Sequence, residues 1–121
     1  MAESLQSYRD LLAWQKAVDL VEAIYKLSET LPVDERFGLV SQMRRAATSV
    51  PANIDGGYGR HHRGDYIHHL SIANGSLKEV KTHLIVAGRL NYIDREQARP
   101  SWDLTQEVGK LLAALRKSLQ S

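Results

Sequence analysis

The sequence predicts an all-α fold: an up-down-up-down antiparallel four-helix bundle with a kinked second helix. Three observations carry this. Apolar residues recur at steps of three and four in four stretches of roughly 20 residues each. The stretches are joined by short connections, which favours antiparallel neighbours. No segment alternates apolar and polar residues with period two, and the one hairpin-like dipeptide, Asn74-Gly75, interrupts a strong helical phase. At 121 residues the chain is expected to form one domain spanning 1–121 with its own hydrophobic core.

Residues 1–9 lack periodicity and are expected to form a loose N-terminal arm, with Asp10 as the N-cap of helix one. Two apolar rows follow. One is Leu11, Trp14, Val18, Val21 and Tyr25; the other is Ala13, Ala17, Leu20, Ile24, Leu27 and Leu31. Together they make a stripe wider than one neighbouring helix needs. Pro32 should end the helix, because the residue before a proline avoids the α region. Val33-Asp34-Glu35 reads as a turn, with Asp34 capping helix two.

The core row of helix two is Leu39, Met43, Ala46, Val50 and Ile54, with Val40 and Ala47 alongside. Pro51 falls within it, lacks an N–H and crowds the carbonyl of Ala47. The apolar phase nevertheless persists to Ile54, which predicts a kink rather than a stop. Gly56-Gly57-Tyr58-Gly59 then loosens the chain, and Arg60-His61-His62-Arg63-Gly64 reads as an exit loop.

Helix three should start near Asp65, with the heptad-spaced row Tyr66, Leu70, Ala73, Leu77, Val80, Leu84 and Ala87, and stop at Gly88. Asp94 and Gln97 have the spacing of a capping box for helix four. Its apolar positions are Leu104, Val108, Leu111 and Leu115, with Leu112 and Leu119 beside them. Pro100 lies too far past Asp94 for a first-turn proline, so the helix either kinks there or begins its regular part there. Lys110, Arg116 and Lys117 complement its macrodipole.

Composition narrows the function classes. The absence of cysteine rules out disulfides and thiolate metal sites and fits a reducing cytoplasm. No apolar run approaches the ~20 residues of a membrane span, and the N-terminus has no apolar signal region, so a cytoplasmic protein without a membrane partner is expected. A net charge of +2 permits a polyanionic partner without demanding one. Ser49, Ser71 and Ser76 lack a nucleophile elbow, the glycines after helix two follow no strand, and the core rows hold no carboxylate. Neither an enzyme nor a cofactor is expected. His61, His62, His68, His69 and His83 raise the question of a metal. With few acidic neighbours, chiefly Asp55 and Asp65, and no inward Glu-x-x-His motif, no metal site is expected either.

The stretch Gln42–Arg60 departs most from an ordinary amphipathic helix. The face opposite the core row, Ser41, Arg45, Thr48, Ser49 and Ala52, is thin and almost uncharged, which allows another backbone to approach closely. With Leu20, Ile24 and Leu27 from the double row of helix one, these residues are the candidates for an interface between copies of the chain. Arg44, Arg45, Arg60, His61, His62 and Arg63 are the candidates for nucleic-acid contact, with Tyr58 and Tyr66 near enough in sequence to stack on an unpaired base. The competing reading is a solvated loop on a purely structural or protein-binding bundle.

Several motifs together carry a family likeness: Asp10-Leu11 with Trp14-Gln15-Lys16-Ala17, Ile24-Tyr25-Lys26-Leu27, Phe37-Gly38-Leu39, Ser41 to Ala47, Ser49 to Ile54 and Gly57-Tyr58-Gly59-Arg60. Ile72-Ala73, Gly75 to Glu79, Ala87 and Leu90-Asn91-Tyr92 extend it. In this order and spacing the chain resembles the four-helix bundle proteins encoded in intervening sequences of bacterial 23S ribosomal RNA genes. The resemblance implies a homopentameric ring without catalytic residues or cofactor. The family is similar in turn to the accessory variability protein of diversity-generating retroelements, which implies association with RNA or DNA, with a reverse transcriptase, or with a ribosomal RNA context. The chain departs from the pattern at Asp55-Gly56-Gly57, where relatives carry Ala-Glu-Gly, and at Lys81, often Glu in relatives.

Overall fold

The computed structural model describes residues 2–58 and 62–120. They form four α-helices: α1 (Ala2–Ser28), α2 (Leu39–Tyr58), α3 (Arg63–Arg89) and α4 (Arg95–Gln120). A short 3-10 turn, Val33–Glu35, lies between the first two. No strand occurs among the described residues. Each helix packs on two others, α1 on α2 and α4, and α3 on α2 and α4, which makes a four-helix bundle around one hydrophobic cluster.

The core follows the periodicity. On α1 the row Ala13, Ala17, Leu20, Ile24 and Leu27 is buried, and on α3 so is the row from Tyr66 to Ala87. Helix two contributes Met43, Ala46, Ala47, Val50 and Ile54, and runs unbroken through Pro51. On α4 the buried row is Ser101, Thr105, Val108, Leu112, Leu115 and Leu119, whereas Leu104 and Leu111 are only partly buried. Thr105 is fully buried because its hydroxyl donates to the Trp102 carbonyl at 2.6 Å, so the polar atom is satisfied on its own helix.

Several boundaries differ from the sequence expectation. The expected loose arm, residues 1–9, is helical from Ala2, so Asp10 is not an N-cap but an interior residue of α1. Helix one stops at Ser28, ahead of Pro32, where the amides of Thr30 and Leu31 turn to the carbonyls of Leu27 and Ser28. Asp34 lies in the 3-10 turn and does not cap α2; Glu35 does, its Oε1 accepting the Leu39 amide at 3.2 Å. Helix three begins at Arg63 and runs past Gly88 to Arg89.

The stop on α3 comes from Asn91, the one described non-glycine residue with positive φ, at 62°. The Asn91 amide donates to the Gly88 carbonyl and the Tyr92 amide to Ala87, both at 3.0 Å, the paired bonds of a Schellman motif. Asn is among the residues that tolerate this left-handed conformation. The capping box of α4 is present: Gln97 donates its amide to Asp94 Oδ1 at 2.7 Å, and Asp94 donates its amide to Gln97 Oε1 at 2.9 Å. Helix four therefore starts at Arg95 and carries Pro100 in its interior.

Two side-chain bridges between distant parts of the chain complete the frame. Tyr92 Oη donates to Glu35 Oε2 at 2.9 Å, so one carboxylate both caps α2 and holds the α3–α4 connection. Gly38 leaves room for it, since a Cβ there would stand 2.8 Å from Glu35 Oε1. The Glu35 bond is the main cause that raises the Tyr92 phenol above its ordinary value of 10.0. At the second bridge Tyr66 Oη donates to Asp10 Oδ1 in the interior. Asp10 Oδ2 is buried without a hydrogen-bond partner among the described residues. Burial pushes the Asp10 carboxyl above its ordinary value of 3.8, against the opposing pull of the Tyr66 bond.

Tyr92→Phe should lower the urea midpoint of unfolding slightly, because it removes one solvent-screened hydrogen bond to Glu35. Because Gly38→Ala displaces the same carboxylate, the double variant in urea denaturation should lose less than the sum of the two singles; strict additivity would dissociate Gly38 from the bridge. For Asp10 the raised value means that its stabilising contribution is complete below pH 3.8 and is lost as pH rises through the folded-state value. Asp10→Asn keeps an acceptor for Tyr66 and removes the ionisation. The stability of wild type relative to this variant should therefore rise on acidification from pH 7 to pH 4; a difference independent of pH would contradict a desolvated carboxylate.

Candidate functional site

Among the described residues the sequence candidates for nucleic-acid contact differ in exposure and in their partners. Arg44 is half-buried and committed within the chain. Its Nε donates to Ser28 Oγ at 2.9 Å, its Nη2 reaches the Tyr25 carbonyl at 3.5 Å, and its guanidinium lies 4.5 Å from the centre of the Tyr25 ring. A cation in that position also complements the C-terminal end of α1. Arg45 is exposed. His62 and Arg63 are exposed at the start of α3, where the His62 side chain makes no capping bond. Arg60 and His61 lie outside the described residues.

The interface candidates divide as well. Leu20, Ile24 and Leu27 are buried in this chain's own core, which corrects their assignment to a surface between copies: of the two rows on α1, theirs is the inner one. The outer row is the one only partly covered, with Val21 against the core and the Arg44 guanidinium over Tyr25. Leu11 is 53% exposed and Trp14 and Tyr25 are 39% exposed, with Val18 and Val21 half-buried between them. On α2, Arg45 and Ala52 are exposed and Ser41 and Thr48 half-buried. Thr48 Oγ1 is turned onto its own helix, donating to the Arg44 carbonyl at 2.9 Å.

Ser49 instead faces α3. Ser76 Oγ donates to Ser49 Oγ at 2.8 Å, and Asn53 Nδ2 donates to the Ser49 carbonyl at 2.8 Å and lies 3.0 Å from its hydroxyl. Asn53 Oδ1 is then an acceptor, which requires His69 Nδ1, 3.2 Å away, to carry the proton. Small hydroxyl side chains let α2 and α3 approach closely, and this polar ladder satisfies the groups they bury. It also accounts for His69 without a metal. His68 is exposed, its ring edge-on to His69 at 6.3 Å. No three His, Asp or Glu side chains converge as a metal site among the described residues.

One feature escaped the sequence reading. An open groove of about 930 Å³ runs between α3 and α4 beside their connection, lined by Ile85, Arg89, Tyr92, Arg95, Arg99 and Trp102 among others. Arg95, Arg99 and Trp102 follow one another at steps of four and three, so a shared face of α4 was legible in their spacing. The Arg89 side from α3 was not, since it depends on how the two helices pack.

No individually curated protein matches the sequence. Among solved structures, the chain is similar to a crystal structure of a protein with unknown function from the S23 ribosomal protein family of Bacteroides thetaiotaomicron VPI-5482. The two share 29% identity and a TM-score of 0.83 over 90% of this chain and 98% of that one. The sequence also matches the family described as 23S rRNA-intervening sequence protein over residues 9–114, a span that takes in the Asp10–Tyr66 and Glu35–Tyr92 bridges and the Asn91 turn. With most of its length matched and its bundle shared with that crystal structure, the chain belongs to the 23S rRNA-intervening sequence protein family.

Proposed function

We propose that this protein is a non-enzymatic helical bundle that works as a homo-oligomer and meets RNA or DNA, or an enzyme acting on nucleic acid, through basic surfaces in the bacterial cytoplasm. The observation that carries the reading is the outer row of α1. Leu11, Trp14, Val18, Val21 and Tyr25 repeat with the spacing of a coiled-coil seam, yet three of the five are exposed on the single chain. A contiguous apolar strip of this kind marks an interaction surface, and the exposed small and basic residues Arg45 and Ala52 of the adjoining α2 leave space for a second copy to approach.

Five copies in a ring is the number that resemblance to the family implies. An up-down-up-down course of the helices is supported by contacts whose numbers rise on one helix as they fall on the next: Ser49 with Ser76 but Asn53 with His69, and Arg44 with Ser28. The nucleic-acid part rests on the family's tie to 23S rRNA and on the exposed cations Arg45 and Arg63, with Arg60 adjoining in sequence. Repetition around a ring would add such charges together. The competing reading, a bundle with a structural or protein-binding role alone, is favoured by the commitment of Arg44 inside the chain.

Sedimentation equilibrium at micromolar concentration should give an oligomer, and Leu11→Glu combined with Trp14→Glu should give a monomer with unchanged helicity by circular dichroism. A wild-type monomer would refute self-association. Binding to structured RNA and DNA should weaken linearly in log–log terms with salt, with a slope of about −0.9 per phosphate neutralised on a duplex. Arg60→Ala with Arg63→Ala should make that slope shallower. Absence of binding even at low salt would leave the structural reading.

A further inference from the structure

We propose that the α3–α4 groove is a binding site for an unpaired segment of a nucleic-acid strand. This deepens the nucleic-acid reading and rests on it. The groove has three properties that act together. Its cations are uncommitted: Arg89, Arg95 and Arg99 are exposed, and none of the three has a carboxylate within salt-bridge distance among the described residues. Their forks match phosphate oxygens. Apolar and aromatic side chains share its walls with the charged ones. Trp102 is half-buried, so its ring is anchored yet reachable, and Ile85 is exposed on the facing helix. Its framework is fixed: the Tyr92 hydroxyl is tied to Glu35, and the Asp94–Gln97 capping box sets the start of α4.

A fourth cation lies close to the aromatic wall, since the Lys81 ammonium stands 6.0 Å from the centre of the Trp102 ring. Asp103 and Asp94 also line the groove, and Asp94 Oδ1 is engaged by the Gln97 amide. The remaining balance favours an anion. An indole among guanidinium groups suits a base with its phosphates. A paired base has both faces covered in the helix stack, whereas an unpaired base offers a face to the indole. The groove is open to solvent rather than enclosed, which leaves it accessible to a strand.

The test uses the full chain and a fluorescent ten-nucleotide single strand of mixed sequence, with a duplex of the same sequence for comparison. Trp102→Leu should weaken binding of the single strand about tenfold or more, the scale of one lost base–aromatic stack, and Trp102→Phe should retain most of the affinity. Arg95→Ala with Arg99→Ala alters exposed positions only, and should make the salt slope on the single strand shallower by about 1.4. Unaltered helicity by circular dichroism accompanies both. If wild type binds with a steep salt slope and the groove variants bind equally well, while Arg60→Ala with Arg63→Ala weakens binding, the groove is overturned and the nucleic-acid reading stands. No binding at low salt overturns both. Displacement of the strand by adenosine monophosphate, or equally well by poly-glutamate, would replace the strand with a nucleotide or an acidic peptide as occupant.

Discussion

Two of this bundle's connections, α1–α2 and α3–α4, meet at one carboxylate. Glu35 accepts the first amide of α2 with one oxygen and the Tyr92 hydroxyl with the other. A helix start leaves amides without internal partners, and a connection leaves polar groups without a ladder. Here each deficiency is met by the same side chain. The glycine at position 38 is what makes the arrangement sterically available, and the left-handed Asn91 is what turns the chain so that Tyr92 can reach. Tyr92 in turn lines the groove between α3 and α4, so the placement of a surface feature follows from a bond made on the other side of the connection.

Polar groups in the interior are handled in two contrasting ways. Between α2 and α3, Ser49, Ser76, Asn53 and His69 satisfy one another in sequence, and close helix approach follows from their small size. Around Asp10 the satisfaction is incomplete, with one oxygen taken by Tyr66 and the other without a partner among the described residues. The first arrangement adds specificity of register at little cost. The second holds a carboxyl away from water, and its energetic sign depends on protonation.

Much of the architecture was legible in the residue order, because long apolar rows at helical spacing leave few alternatives. The row from Tyr66 to Ala87 and the Asp94–Gln97 box are local signals, and local signals transfer directly to structure. The errors have a common physical origin. Asp10 and Ser49 are polar residues that look like cap and surface, and only contacts with Tyr66 and Ser76, far away in sequence, draw them inward. Thr105 was missed in the core row because a hydroxyl that bonds its own helix behaves as an apolar group. The two rows of α1 were visible, but which one faced inward was not, since both have helical period and each could have met α2 or α4. The candidate groove required the packing of two helices, which no single stretch encodes.

The Glu35 bridge also bears on how the molecule opens. A connection held only by its own turn can fray without consequence elsewhere. Here, release of the Tyr92 hydroxyl disturbs the carboxylate that also accepts the Leu39 amide, so loosening the α3–α4 turn unsettles the first turn of α2. Opening of the two connections should on this ground be coupled rather than independent, since both lean on the same side chain.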